Sequence, residues 1–138
     1  MSDHYVLDSF AILVFLKKEQ GHDRMFELLK KAERGTCRAM MTWVNLGEVA
    51  YIIQRRWGKS RVLEFLANLE SSKVEFVEVG QDLALKAAEL KADHPMAYAD
   101  TFAAALAELT DSVLVTGDPE FKNLEERLSI EWLEIVEK

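Results

Sequence analysis

Four carboxylates in this 138-residue chain have the type and setting for metal chemistry: Asp8, Glu48, Asp100 and Asp118. Glu48 is the most telling. It lies within Val44-Asn45-Leu46-Gly47-Glu48-Val49-Ala50-Tyr51-Ile52-Ile53, a helix-like run. Its neighbours at i−4, i−3, i+3 and i+4 are Val44, Asn45, Tyr51 and Ile52. None is basic, so no ion pair along a helix accounts for it. An unpaired carboxylate among apolar neighbours is costly if buried. Its ordinary explanation is a side chain reaching solvent from the edge of that face.

The other three acids have more competition. Asp8 follows the apolar run His4–Leu7 and precedes Ser9, where Asp is also a preferred helix cap. Asp118 sits in Thr116-Gly117-Asp118-Pro119, and Asp followed by Pro is a common helix start. Capping leaves carboxylate lone pairs free, so it does not exclude a second role. Asp100 lies in Tyr98-Ala99-Asp100-Thr101-Phe102-Ala103-Ala104-Ala105, where the helix dipole favours an acid in the first turn. Ala103 and Ala104, at i+3 and i+4, offer it no countercharge. If the four meet, they repel one another and need a cation. Oxygen-only ligands suit Mg²⁺ or Mn²⁺. Such an ion acidifies a bound water, aligns it with a phosphorus and neutralises developing charge, which are the needs of phosphodiester hydrolysis.

These acids need a scaffold that gathers distant segments, and the hydrophobic pattern supplies one. Strand-like runs occur at His4–Leu7, Cys37–Met41, Val74–Val77, Ser112–Thr116 and, as a possible fifth, Ser129–Leu133. Helix-like runs cover Ser9–Lys18, His22–Arg34, the stretch from Thr42 as cap to Trp57, Ser60–Leu69, Gln81–Ala92 and Tyr98–Leu109. Helical spacing is clear in Met25, Leu28, Leu29 and Ala32. Strand alternating with helix predicts an α/β fold: a three-layer α/β/α sandwich with a mostly parallel sheet of four or five strands. Ligands of such sheets sit beyond the carboxyl ends of the strands. Asp8 and Asp118 both follow strands. The small residues after Asp100 would let that helix pack close to the sheet and carry Asp100 toward the same end.

Composition narrows the classes. Length fits one domain, taken as residues 1–138, and 49% apolar with 30% charged residues is globular. The single cysteine, Cys37, excludes an intrachain disulfide and a cysteine-rich zinc site. His4, His22 and His94 share no ligand-like spacing. No apolar run reaches membrane-spanning length and no signal-like start is seen, so a cytoplasmic protein is expected. The net charge of −7 argues against a general polyanion binder. It hides an asymmetry: residues 1–61 hold 11 Lys/Arg against 7 Asp/Glu, whereas residues 62–138 hold 6 against 17. Nucleic acid would have to approach the basic part.

The ordered set of motifs resembles the PIN-domain nucleases, and more closely the VapC-like toxins of prokaryotic toxin–antitoxin pairs. The resemblance covers essentially the whole chain. It runs through Tyr5-Val6-Leu7-Asp8-Ser9, Asn45-Leu46-Gly47-Glu48-Val49, Tyr98-Ala99-Asp100-Thr101-Phe102-Ala103-Ala104-Ala105 and Val113-Leu114-Val115-Thr116-Gly117-Asp118-Pro119-Glu120-Phe121. Each motif is short; their order and spacing make the match. The resemblance implies a Mg²⁺- or Mn²⁺-dependent endoribonuclease. Asp8, Glu48, Asp100 and Asp118 would be metal ligands and water activators, with Ser9 and Thr116 as supporting hydroxyls. It also implies an RNA substrate, a homodimer and a cognate antitoxin whose C-terminal segment covers the acidic pocket. Many relatives carry a further Asp after the last motif Asp. Here Glu120 stands next to Pro119, either a peripheral acid of the site or a first-turn helix acid, the latter the favoured reading, and it is left outside the core set.

Other features have bland and sharp readings. Arg55, Arg56, Lys59 and Arg61 cluster near the end of the Glu48 helix; they are a solvated helix end favoured by its dipole, or contacts to RNA phosphates, Arg55 and Arg56 first. Phe10, Leu13, Val14 and Phe15 make the first helix apolar almost all round, more than one core face needs. Trp43 and Trp57 are expected in the core rather than as stacking platforms for bases. Two rival functions remain. A catalytically silent PIN-like RNA- or protein-binding scaffold would bind without metal-dependent cleavage. A receiver-like phosphate-transfer domain would need a Lys after the fourth strand, where Thr116-Gly117-Asp118 stands instead.

Overall fold

Parallel pairing dominates the architecture of the computed structural model, which describes residues 3–133. In chain order the elements are β1 (His4–Leu7), α1 (Ser9–Leu16), α2 (His22–Glu33), β2 (Arg38–Thr42), α3 (Trp43–Trp57), α4 (Lys59–Glu70), β3 (Glu75–Val77), α5 (Gln81–Asp93), α6 (Tyr98–Thr110), β4 (Val113–Thr116), a 3-10 helix at Pro119–Leu124 and β5 (Ile130–Trp132). The strands form one sheet in the order β3-β2-β1-β4-β5, every neighbouring pair parallel. No helix among the described residues is long and apolar enough to cross a membrane.

Strand alternation builds the core on both faces of the sheet. Val6, Met40 and Leu114, in register across β1, β2 and β4, point to one face with residues of α5 and α6. Leu7, Met41 and Val115 point to the other, with residues of α1, α2, α3 and α4. Val6, Leu7, Leu114 and Val115 are fully buried, and each such side chain contributes about 1.5–3 kcal/mol relative to exposure. Ala103, Ala104, Ala105 and Ala107 of α6 are also buried. Their small size lets that helix lie close on β1 and β4.

Several boundaries differ from the sequence reading. α1 stops at Leu16, because Lys17 caps it and Lys18 enters the left-handed region at φ 54°. Thr42 is both the last residue of β2 and the cap of α3, its side chain accepting from the Asn45 N–H. The helix expected after Pro119 is a 3-10 turn, whose three-residue period brings Phe121 and Leu124 to one buried side. Trp43 and Trp57 are not core residues: they are 49% and 43% exposed. The buried stripe of α3 is Asn45, Leu46, Val49 and Ile53, and both indoles fall beside it.

The chain order places a switch point at β1. From β1 the chain goes to β2 on one side, and β4 later fills the other. The carboxyl ends of β1 and β4 therefore flank a crevice, the location at which open parallel sheets bind ligands.

Candidate active site

The floor of that crevice is a hydroxyl shared by the two strand ends. Asp8 follows β1 and caps α1, one carboxylate oxygen accepting from the Ala11 N–H at 2.8 Å. Its other oxygen accepts from Thr116 Oγ1 at 2.5 Å. The same Thr116 oxygen accepts from the Asp118 N–H at 3.0 Å. Thr116 thus fixes Asp8 and the turn that carries Asp118 with one atom. Asp118 in turn caps the 3-10 helix by accepting from the Glu120 N–H at 3.0 Å.

The second wall is the first half of α3. Ser9 Oγ donates toward Glu48 Oε1 at 2.5 Å and toward the Asn45 carbonyl at 3.1 Å. Glu48 is half-buried and is held by Ser9, the residue that follows Asp8 at the start of α1. Asn45 is wholly buried. Its carbonyl side-chain oxygen accepts from Thr42 Oγ1 at 2.6 Å, and its amide donates to the Ala99 carbonyl at 2.9 Å. Ala99 immediately precedes Asp100. One buried amide therefore ties α3 to the first turn of α6.

The third wall is that first turn. Asp100 is 8% exposed, and among the described residues nothing donates a hydrogen bond to its carboxylate. Asp100, Asp118 and Glu120 each place a carboxylate oxygen within 4.8 Å of the others. Glu120 also accepts from the Ala97 N–H at 2.8 Å, just ahead of α6. It occupies the first turn of its 3-10 helix, and its carboxylate also reaches across to Asp100 of α6. Glu120 is thus a first-turn acid whose carboxylate also lies beside those of Asp100 and Asp118.

Electrostatics follow from burial and crowding. Burial pushes the Asp8 carboxyl up to about 8; the bonds from Thr116 and Ala11 oppose the shift, while Asp100 and Asp118 add to it. Burial also raises Asp100 to about 7, reinforced by Asp118, Glu48 and Glu120. None of these five acids forms an ion pair with Lys, Arg or His among the described residues. Asp100, Asp118 and Glu120 lie close enough to share one ion, and this oxygen-only set with no protein cation suits a hard divalent cation, while Asp8 and Glu48 stand outside that group of three.

Arg55 and Arg56 stand apart from this crevice. They lie at the exposed end of α3, the Arg55 guanidinium 5.6 Å from the Tyr51 ring centre and that of Arg56 5.1 Å from Trp57. Two contributors escaped the sequence reading. Glu120 shows only its local first-turn place in the sequence, because its partner Ala97 lies 23 positions away. Asn45 was passed over, although a polar residue on the same stripe as Leu46 and Val49 signals a partner across a packed interface.

The PIN domain family matches residues 5–127. No curated protein matches the chain by sequence. Among solved structures the chain is similar to VapBC2 from Rickettsia felis, bound to a DNA fragment from their promoter, with TM-score 0.77 and 19% identity over 95% of this chain and 99% of that one. It is similar to DNA-bound VapBC from Salmonella typhimurium, with TM-score 0.75 and 20% identity over 97% and 100%. It is also similar to the sarcin–ricin loop cleaving toxin VapC20 of Mycobacterium tuberculosis, with TM-score 0.69 and 18% identity over 86% and 92%. At these identities the likeness is one of fold.

Proposed function

The chain belongs to the PIN domain family, and from that premise we propose that it is a single-domain, metal-dependent endoribonuclease, the toxin of a toxin–antitoxin pair. The observation that carries the reading is the crevice of carboxylates without a protein cation, in which Asp8 and Asp100 are both held above the ordinary carboxylate range. Such an arrangement is unfavourable for the chain alone and favourable once a cation is bound.

Asp8, Glu48, Asp100 and Asp118 are the proposed ligands of Mg²⁺ or Mn²⁺, with Glu120 at their side. A bound ion would supply an acidified water and neutralise charge on the phosphate. The remaining work falls to the protein. Thr116 orients Asp8, Ser9 orients Glu48, and Asn45 sets the start of α6 so that Asp100 faces them. The acids repel a bare phosphate, which keeps RNA out until a cation is in place. Arg55 and Arg56, on the more basic part of the chain, are the proposed phosphate contacts.

The partners follow the same reading. The Rickettsia felis and Salmonella typhimurium structures are of VapBC, and a Klebsiella pneumoniae neighbour is a toxin–antitoxin complex. An apolar groove of about 360 Å³ lies between α1, α3 and α4, lined by Ile12, Phe15, Leu16, Ile53 and Phe65. It is the proposed seat of an antitoxin segment. A homodimer in the cytoplasm is the proposed free state, and the exposure of Trp43 beside the edge strand β3 leaves apolar surface for it.

The test is cleavage of RNA oligonucleotides with Mg²⁺ or Mn²⁺ by the wild-type chain, Asp8→Asn and Asp100→Asn. Cleavage lost in both variants and in excess EDTA supports the proposal. Full activity in the variants or in EDTA overturns it, and RNA binding without any metal-dependent cleavage points to a scaffold instead.

A further inference from the structure

We infer that the flank of α3 bearing Glu48, Tyr51 and Arg55 is a stacking subsite for a base of single-stranded RNA, leading away from the acids; the inference rests on the nuclease reading and extends it. The first support is spacing. Residues i, i+3 and i+7 share one flank of a continuous helix, and α3 is unbroken from Trp43 to Trp57. Glu48 is locked to Ser9 at the crevice. Tyr51 comes one turn later, and Arg55 lies roughly 10 Å from Glu48 along the axis at 1.5 Å per residue. The flank therefore begins at the proposed cleavage site and runs outward from it.

The second support is what these side chains do not do. The buried stripe of α3 is Asn45, Leu46, Val49 and Ile53, and Tyr51 is 51% exposed. Packing does not account for an aromatic ring there. Arg24, Arg38 and Arg127 each grip a carboxylate. Arg55 pairs with none among the described residues, although acids outnumber bases by 24 to 17. It lies instead over the Tyr51 ring. The half-exposed Tyr51 ring offers a flat surface on which an unpaired base stacks, and the Arg55 guanidinium 5.6 Å from its centre places a positive charge for the adjoining phosphate. Every base has a π-face, so this subsite favours unpaired RNA over any one sequence.

The experiment uses the full chain and unstructured RNA oligonucleotides carrying 2-aminopurine at successive positions. Binding is measured by fluorescence in the non-cleaving Asp100→Asn background, and cleavage kinetics with Mn²⁺ in the wild-type background. With wild-type Tyr51, one position is expected to be strongly quenched on binding. Tyr51→Ala is expected to abolish that quenching and raise KM roughly tenfold with kcat within twofold. Tyr51→Phe keeps the ring and should restore both, while Arg55→Ala should raise KM and weaken its salt dependence. Phe26→Ala, which removes another exposed ring carrying a cation, Lys30, controls for general surface effects. Unchanged quenching and KM in Tyr51→Ala overturn the subsite and leave the nuclease reading standing. A wild-type chain that quenches through Tyr51 without cleaving keeps the subsite and sinks the nuclease. A change in oligomeric state with Tyr51→Ala, and no change in quenching, assigns this flank to contact between copies and overturns the inference.

Discussion

The molecule holds its acids in two opposite ways. On the outer surface, Glu75 is gripped by Arg38, Glu108 by Arg127 and Glu131 by Arg24, each through two hydrogen bonds. Arg38 draws the Glu75 carboxyl below its usual range, and Arg127 does the same for Glu108. In the crevice the partners of Asp8, Glu48 and Asp118 are hydroxyls and backbone N–H groups, and Asp8 and Asp100 are pushed upward. The surface acids are complete with the chain's own cations. The crevice acids are oriented but have no protein cation beside them, so burial and mutual repulsion hold Asp8 and Asp100 toward their protonated forms, a state that a cation from outside would relieve.

The largest test of that contrast is Asp100→Asn. Loss of a ligand should cut cleavage by more than the roughly 10–100-fold that follows loss of a ligand's outer partner. The same change removes a buried carboxyl whose charged form is disfavoured, so at and above about pH 7 the metal-free protein should melt at a higher temperature. Function and stability then move in opposite directions. A metal-free melting temperature that falls would mean that Asp100 is satisfied by the protein, and the contrast would fail.

Asn45→Ala sharpens the point that crevice bonds position rather than neutralise. It frees the Thr42 hydroxyl and leaves the Ala99 carbonyl without its donor. A buried unsatisfied group costs about 1–3 kcal/mol. Beyond that loss, Mn²⁺ affinity measured by calorimetric titration should fall about tenfold, because the turn bearing Asp100 is no longer tied to α3. Lower stability with unchanged affinity would make Asn45 a core residue and nothing more.

The pH dependence separates the two sets by sign. Asp8 and Asp100 hold protons in the folded chain at pH values where the unfolded chain, near 3.8, has released them. Their stabilising contribution is complete below the unfolded value and is lost as pH rises through about 7 and then about 8. Glu75 and Glu108 behave in reverse, contributing above the unfolded value and losing it as acid protonates them. The metal-free melting temperature should therefore fall by several degrees from about pH 6 to about pH 9, and saturating Mn²⁺ should flatten the slope. A slope unchanged in Asp8→Asn and Asp100→Asn would assign it to other groups.

How much of this was legible beforehand depends on range. Strand and helix periodicity is local, so the α/β order and the sheet's carboxyl-end placement of Asp8 and Asp118 could be read from the residues. Glu48 and Asp100 stood out because their helical neighbours lack bases. The Asn45–Ala99 bond spans 54 positions and the Glu120–Ala97 bond 23, and no local pattern announces either. That Trp43 and Trp57 lie outside the core is not legible for a related reason: hydrophobicity alone does not say which side of α3 is buried.

The smallest expected effect is also the most direct comparison. Glu108→Gln makes the same chemical change as Asp100→Asn, carboxylate to amide, but on the surface set. It weakens the pairing with Arg127 and Lys86. Exposed pairs contribute little after solvent screening, so the loss should be under about 1 kcal/mol and smaller still in high salt. Cleavage and Mn²⁺ affinity should be unchanged, since Glu108 lies toward the opposite end of α6 from Asp100. One substitution should lower the melting temperature slightly and the other should raise it. If both moved it the same way, neutralisation by arginine would not be what distinguishes the two sets, and the case for an ion in the crevice would have to rest on direct binding alone.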